Sequence, residues 1–85
     1  MDILITDEAL KDIEYWKSIE AKEIIKKIKS LLESIQKNPF KGLGKPEPLK
    51  GNLKGYWSRR INLEHRLVYR VENNIIIVIQ CRFHY

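Results

Sequence analysis

A carboxylate, several arginines and an imidazole in the second half of the chain have the chemistry needed for acid–base work on an anionic substrate. Glu47 lies between Pro46 and Pro48. A residue before proline avoids the helical region and proline has a fixed φ, so the backbone at Glu47 is expected to be extended and stiff. Arg66 opens a segment with strand-like alternation, and His84 follows closely after an apolar segment. An imidazole changes protonation near neutral pH, which suits proton transfer.

Together these groups form a set that can cleave RNA without a metal ion. A base removes the proton from a ribose 2′-hydroxyl, the oxygen attacks the adjacent phosphorus, arginine stabilises the developing charge, and an acid protonates the leaving 5′-oxygen. Tyr85, next to His84, can stack on a base or donate to a phosphate oxygen. Each residue also has a non-catalytic interpretation. Glu47 can be a solvated glutamate, Arg66 a surface arginine paired with Glu64, and His84 a structural or solvated histidine. Composition alone leaves RNA cleavage as one possibility among several.

Further basic side chains accompany these residues. Lys50 follows Glu47 at a distance of three positions. Arg59 and Arg60 are adjacent on a predicted strand, so their side chains point to opposite faces and only one of them can join Arg66. The planar fork of arginine matches phosphate oxygens, so these side chains are candidates for phosphate contacts.

The positive charge is confined to the same half of the chain. The 85 residues carry a net charge of +5 at pH 7. Residues 1–42 contain eight lysines and eight acidic residues, whereas residues 43–85 contain three lysines and five arginines against three glutamates. This split indicates a neutral half that builds the scaffold and a basic half that meets a polyanion.

Composition narrows the class of protein. With 44% apolar and 32% charged residues, the chain is typical of one soluble globular domain, which we place at residues 1–85. We expect no signal peptide and no membrane span, and the lone Cys81 agrees with a reducing cytoplasm. Two histidines and one cysteine do not suffice for a zinc cluster, so neither a metal nor a cofactor is expected. Cys81 is expected to be a small buried side chain. His65 is expected to face solvent in a turn, with a backbone or RNA contact left open as the alternative.

The elements that must position these residues follow from periodicity and from capping signals. Asp2–Thr6 alternates like a strand, and Thr6 can cap a helix that runs to about Lys17. A second helix has one apolar face and ends before Asn38–Pro39, as the proline requires. That face consists of Ile24, Ile25, Ile28, Leu31, Leu32 and Ile35. Residues 38–55 form a long loop, and long loops are usually functional or disordered.

Three strands are predicted after the loop, at Tyr56–Asn62, Arg66–Glu72 and Ile75–Phe83. The expected fold is therefore α+β, in the order β-α-α-β-β-β, with two amino-terminal helices packed on one face of a twisted antiparallel sheet and the first strand at an edge. Alternation places one set of middle-strand side chains under the helices and the other on the open face. The first set is Leu67, Tyr69 and Val71, and the second is Arg66, Val68 and Arg70.

The segments PFKGLGKPEPLKGNLKGYWSRRINLEHRLVYRV and CRFHY resemble the YoeB (Txe) family of bacterial toxins, within the RelE-like group of mRNA interferases. The resemblance runs almost the full chain, from DILITDEAL through YWK to the terminal tyrosine. It implies a compact sheet with two amino-terminal helices. It also implies an endoribonuclease that cuts mRNA in the ribosomal A site, and an antitoxin of the YefM or Axe kind whose carboxyl-terminal segment wraps the toxin.

Carried over residue by residue, the resemblance makes Glu47 the general base and His84 the general acid. Arg66 would stabilise the phosphate in the transition state, and Tyr85 would help to position the substrate. The residues expected to contact RNA are Lys50, Arg60 and, on sequence grounds, Arg59. Ribosome and mRNA would be partners, and a homodimer is plausible for the family.

Two other classes of function stay open on the sequence. A toxin of the same fold could act on a protein, as the ParE-like gyrase inhibitors do. Retention of the whole set of Glu47, Arg66, His84 and Tyr85 argues against this, because binding to a protein needs no acid–base pair. A non-catalytic RNA-binding module is the other alternative, and its binding would weaken steeply with salt without any cleaved product.

Overall fold

The computed structural model describes residues 1–83, and the elements follow the predicted α+β order with one addition. They are β1 (Asp2–Ile5), α1 (Asp7–Ser18), α2 (Lys22–Lys37), β2 (Glu47–Pro48), a 3-10 turn (Gly51–Leu53), β3 (Trp57–Arg60), β4 (Arg66–Glu72) and β5 (Ile75–Gln80). The addition is the two-residue β2, which interrupts the long predicted loop. The predicted α+β fold is confirmed, although β3 and β5 are shorter than their sequence patterns suggested.

The five strands form one sheet in the order β1-β5-β4-β3-β2. The pairs β2–β3, β3–β4 and β4–β5 are antiparallel, whereas β1 runs parallel to β5, with Asp2 opposite Ile75. The sheet is therefore mixed, and the expectation of antiparallel pairing does not hold at this edge. The parallel arrangement is fixed where β1 ends, because the backbone N–H and the hydroxyl of Thr6 both donate to the carbonyl of Val78, at 3.1 and 3.0 Å.

Thr6 also begins α1, as predicted. Its hydroxyl accepts from the backbone N–H of Ala9 at 3.3 Å, and Asp7 and Glu8 supply negative charge to the first turn. Helix α2 ends at Lys37, before the Asn38–Pro39 pair, because proline cannot continue a helix. No helix in the described part of the chain is long and apolar enough to cross a bilayer.

Both helices pack on one face of the sheet, and the predicted inward set from β4 is confirmed. The buried cluster contains Ala9, Trp16, Ile28, Leu31, Ile35, Ile61, Leu67, Tyr69, Ile76, Val78 and Cys81, with Val71 partly buried against it. The opposite face is less open than expected. Val68 is 1% exposed and Ser58 is also 1% exposed, so its centre is covered. The accessible groups on that face lie around these two residues.

Candidate active site

Glu47 lies in the two-residue strand β2, so the prediction of an extended backbone is confirmed. It stands directly opposite Ser58 of β3, and Pro48 stands opposite Trp57. The side chain of Glu47 is exposed, whereas that of Ser58 is buried. The flanking prolines and the pairing with β3 together hold the carboxylate at the edge of the sheet.

Strand register brings Glu47 and two arginines onto one face. Ser58 stands opposite Val68, and Arg60 stands opposite Arg66. Directly opposed residues share a face, as do residues two apart on one strand. The side chains that share the face turned away from the helices include Glu47, Ser58, Arg60, Arg66, Val68, Arg70 and Gln80. The arrangement is therefore a carboxylate beside a pair of opposed cations.

The guanidinium of Arg66 lies against the turn between β3 and β4. Its Nη1 donates to the carbonyls of Asn62, His65 and Leu63 at 3.0, 3.2 and 3.4 Å. The turn is itself fixed by the side chain of Asn62, whose Oδ1 accepts from the N–H groups of Glu64 and His65 at 2.9 and 2.8 Å. Arg66 thus bonds turn carbonyls, and the ion pair recorded within residues 1–83 joins Arg70 and Glu72 instead.

Arg60 is half-buried beside Arg66, and its Nε, like that of Arg70 on β4, is buried without a hydrogen-bond partner within the described residues. A buried donor that lacks an acceptor is costly, and two directly opposed cations repel. Both features suit a site that receives an anion between the two side chains. Lys50 is exposed just beyond β2, on the chain that leads away from Glu47.

Arg59 does not contribute to this face, so the expectation that it contacts RNA is wrong. Its side chain is 0% exposed and points under the helices. Five hydrogen bonds occupy its guanidinium. They join Nε to the Tyr69 hydroxyl (3.1 Å), Nη1 to Ser34 Oγ (2.8 Å) and the Leu43 carbonyl (3.0 Å), and Nη2 to the carbonyls of Asn38 (2.7 Å) and Lys41 (3.0 Å).

Through these contacts, Arg59 of β3 is the residue around which the loop leading to Glu47 packs. Its acceptors come from the end of α2 and from the first residues of the loop, where carbonyls lack helical partners and the helix dipole favours a cation. Burial raises the pKa of Tyr69, although the nearby Arg59 opposes that shift. The side chain of Arg59 therefore has a structural role: it orders the loop that positions the carboxylate of Glu47.

Two glycines allow the loop to approach this arginine closely. Gly42 has a φ of +122°, and a Cβ there would lie 2.5 Å from Ser34 Oγ. Gly44 has a φ of +82°, and a Cβ there would lie 2.7 Å from a methyl group of Leu31. Both positions require glycine for conformation and for space. The long loop is thus ordered by packing, and it delivers Glu47 to the edge of β3.

The residues after β5 are held against α1. The backbone N–H of Cys81 donates to Asp12 Oδ2, and the indole Nε1 of Trp16 donates to the Cys81 carbonyl, both at 2.9 Å. The predicted burial of Cys81 is confirmed at 0% exposure. Burial, together with the charge of Asp12, raises the pKa of its thiol to about 12, so the thiol stays protonated.

His65 is half-buried, so the expectation that it faces solvent is wrong, and the alternative of a backbone contact is the one observed. Its ring packs edge-on against Trp16, with centroids 4.8 Å apart, and its Nδ1 accepts from the backbone N–H of Phe83 at 2.7 Å. Periodicity missed this role because the contact joins a turn to a segment that is distant in sequence. His84 and Tyr85, the predicted acid and its neighbour, lie outside the described residues.

Comparison with known proteins identifies the family. The family model for the YoeB-like toxin of bacterial type II toxin–antitoxin systems matches residues 5–85. The chain belongs to this family. The resemblance drawn from the sequence is therefore confirmed. Among curated relatives, the toxin YoeB of Synechocystis sp. is 49% identical over 85 residues, spanning 100% of this chain and 98% of the relative.

Solved structures of similar toxins share the fold over the full chain. A YoeB/ParE toxin from Agrobacterium tumefaciens superposes with a TM-score of 0.94 at 49% identity, covering 100% of both chains. YoeB of Staphylococcus aureus, 48% identical, has been solved in complex with YefM and as a dimer, with TM-scores of 0.89 and 0.90. Each comparison covers 100% of this chain and 98% of the S. aureus chain.

Proposed function

We propose that this toxin is a ribosome-dependent endoribonuclease that cleaves mRNA in the A site and so blocks translation. The observation that carries the proposal is the common face of Glu47, Arg60 and Arg66, set by the register of β2, β3 and β4. Neighbouring strands lie about 4.8 Å apart, so Glu47 lies roughly 10 Å from β4. One ribose with its phosphate, together with the long arginine side chains, fits such a separation.

In the proposed reaction, side chains of this protein carry out the proton transfers and contact the phosphate. Glu47 removes the proton from the ribose 2′-hydroxyl, and the 2′-oxygen attacks the adjacent phosphorus. The guanidiniums of Arg66 and Arg60 stabilise the charge that develops on the phosphate oxygens. His84 donates a proton to the leaving 5′-oxygen, and Tyr85 positions the nucleotide. The products are a 2′,3′-cyclic phosphate and a 5′-hydroxyl.

The rate enhancement is expected to be shared among these groups. Each proton-transfer residue is expected to contribute about 10²–10⁴-fold. Glu47 is exposed before substrate binds, so a nucleotide can reach it without a rearrangement of β2. Lys50 lies beyond β2 and adds positive charge for the RNA backbone, as part of the net charge of +5.

The proposed partners follow from the relatives. S. aureus YoeB forms a complex with YefM and has a dimeric form. We propose that a YefM-like antitoxin inhibits this toxin by wrapping it with a carboxyl-terminal segment, and that the toxin, as one domain over residues 1–85, can form a homodimer. Its site of action is the cytoplasm, where translating ribosomes are present.

The proposal is tested by adding the purified toxin to a cell-free translation reaction and mapping mRNA ends by primer extension. New ends within translated codons that depend on ribosomes are the expected result. Cuts of equal strength without ribosomes would make the protein a free-standing RNase.

A parallel supercoiling assay with DNA gyrase tests the alternative raised by the YoeB/ParE name of the A. tumefaciens relative. Gyrase inhibition without mRNA cleavage would overturn the proposal in favour of a protein target. RNA binding that weakens with salt but yields no cut would favour a non-catalytic module.

A further inference from the structure

The short segment between β5 and His84 is fixed from two sides. On one side, Asp12 and Trp16 of α1 hold the peptide groups of Cys81, each at 2.9 Å. On the other side, the turn between β3 and β4 holds the peptide groups of Phe83, the residue directly before His84. The backbone is therefore anchored as far as Phe83, the residue that precedes the proposed general acid in the sequence.

Phe83 has a strained backbone, and its polar groups explain how the strain is maintained. Its φ is +66°, a left-handed value that is uncommon for a residue other than glycine. Its carbonyl accepts from the N–H of Arg66 at 3.0 Å and from Gln80 Nε2 at 3.2 Å. Its own N–H donates to Nδ1 of His65 at 2.7 Å. Such conformations persist where the surroundings over-determine them.

The imidazole of His65 is well placed to act as a fixed acceptor. The backbone of His65 is held by the turn, because its N–H donates to Asn62 Oδ1 at 2.8 Å and its carbonyl accepts from Ile61 N at 3.0 Å. Its ring packs against Trp16 at an interplanar angle of 78°. Acceptance at Nδ1 requires a neutral ring with its proton on Nε2.

We propose that His65 is a positioning residue for catalysis, which acts through Nδ1 by holding Phe83 in its left-handed conformation and so fixing the peptide that leads to His84. The inference rests on the proposed function, in which His84 is the general acid. His65 does not itself touch the reacting atoms in this account. The same turn also holds the guanidinium of Arg66, so one short segment contacts both the proposed transition-state cation and Phe83, the residue before the proposed acid.

Two substitutions at His65 distinguish the role of the Nδ1 acceptor from the role of the ring that packs against Trp16. His65→Asn keeps an acceptor oxygen close to the position of Nδ1, whereas His65→Phe keeps a ring against Trp16 but removes the acceptor. In the mRNA cleavage assay with ribosomes, His65→Phe is expected to lower kcat about 10- to 100-fold, with KM changed less than about twofold, since small misplacements of catalytic groups cost that much. His65→Asn is expected to recover most of the lost rate. Equal rates for wild type and His65→Phe, or equal loss in both folded variants, would overturn the proposal.

A spectroscopic measurement decides the hydrogen bond independently of activity. In the isotope-labelled full chain, NMR should detect a scalar coupling across the hydrogen bond between the amide nitrogen of Phe83 and Nδ1 of His65. Absence of this coupling in a folded wild-type protein would overturn the anchoring role. If the coupling is present but wild type cleaves no mRNA, the proposed function fails and the catalytic role of His65 fails with it, whereas the anchor itself stands.

Discussion

Arg60 and Arg66 lie directly opposite each other across the β3–β4 ladder, on the face turned away from the helices. Directly opposed like charges destabilise a sheet, and Nε of Arg60, like Nε of Arg70 on the same face, is buried without a partner in the described part of the chain. An anionic ligand placed between Arg60 and Arg66 would offset the repulsion between them. The pair is therefore the strongest structural support for a phosphate-binding face.

Replacement of Arg60 should separate RNA binding from stability. Arg60→Gln removes the repulsion with Arg66, so the free energy of unfolding should stay within about 1 kcal/mol of wild type or rise. mRNA cleavage should weaken, and the slope of log KM against log salt should fall by about one phosphate contact. Arg70→Gln, on the same face of β4 but ion-paired with Glu72, is the matched control. An unchanged salt slope in Arg60→Gln would contradict a phosphate contact.

Glu47→Gln should abolish the base without disturbing the fold. The amide keeps the size of the side chain but cannot accept the 2′-hydroxyl proton, so cleavage should fall about 10²–10⁴-fold. Because Glu47 is exposed, urea unfolding should give a midpoint close to wild type. Glu33→Gln, an exposed glutamate on α2, controls for the loss of one negative charge. Undiminished cleavage by Glu47→Gln would remove Glu47 from the proposed mechanism.

Arg59→Lys should destabilise the protein despite the conserved charge. Lysine cannot reproduce the five hydrogen bonds of the guanidinium fork, and the carbonyls of Asn38 and Lys41 would lose their donor at a part-buried position. The expected loss is about 3 kcal/mol or more in the free energy of unfolding, measured by urea titration. Arg70→Lys, at a half-exposed arginine, should cost less than about 1 kcal/mol. Similar small losses for both variants would show that the Arg59 network contributes little.

The Cys81 thiol should make the protein sensitive to alkali. Its pKa is raised from 9.0 to about 12 in the folded state, so the unfolded chain loses this proton first. The stabilising effect is complete below pH 9.0 and is lost as pH rises towards 12. Over that range stability should fall by up to about 1.4 kcal/mol per pH unit from this group.

The variant Cys81→Ala isolates that contribution. It should be less stable at neutral pH because it leaves a small cavity, but its stability should fall less steeply above pH 9.0. Tyr69, whose pKa is also raised, destabilises both proteins alike at still higher pH. Identical pH dependence of urea unfolding in the variant and wild type would contradict the assignment to Cys81.

The sequence was sufficient for those parts of the fold that depend on local signals. Thr6 as a cap and Pro39 as a stop set the helix boundaries, and alternation in β4 assigned Leu67 and Tyr69 to the core. The resemblance to a known family supplied the proposed roles of Glu47, Arg66, His84 and Tyr85, which residue chemistry alone left open. Capping and alternation depend only on neighbouring residues, so they can be recognised in the sequence without a structure.

Features that depend on long-range pairing could not be predicted. No local sequence pattern indicates that Glu47 stands opposite Ser58. The register of β2 against β3 depends on the path of the preceding loop, which is set by its packing around Arg59. Alternation showed that Arg59 and Arg60 face opposite ways, but an arginine under the helices is recognisable only once the carbonyls at the end of α2 are in place. The role of His65 was missed for the same reason, since its partner is Phe83.

The central claim, attack by the ribose 2′-hydroxyl, is tested most directly by changing that group in the mRNA. Once a cleavage position is mapped, ribosomes are programmed with mRNA carrying a single 2′-deoxyribose immediately 5′ of the scissile phosphate, and single-turnover cleavage is compared with the all-ribose mRNA. The account predicts that the deoxy substitution abolishes cleavage at that position and that the ribose product ends in a 2′,3′-cyclic phosphate. Cleavage of the deoxy mRNA at an undiminished rate would contradict it.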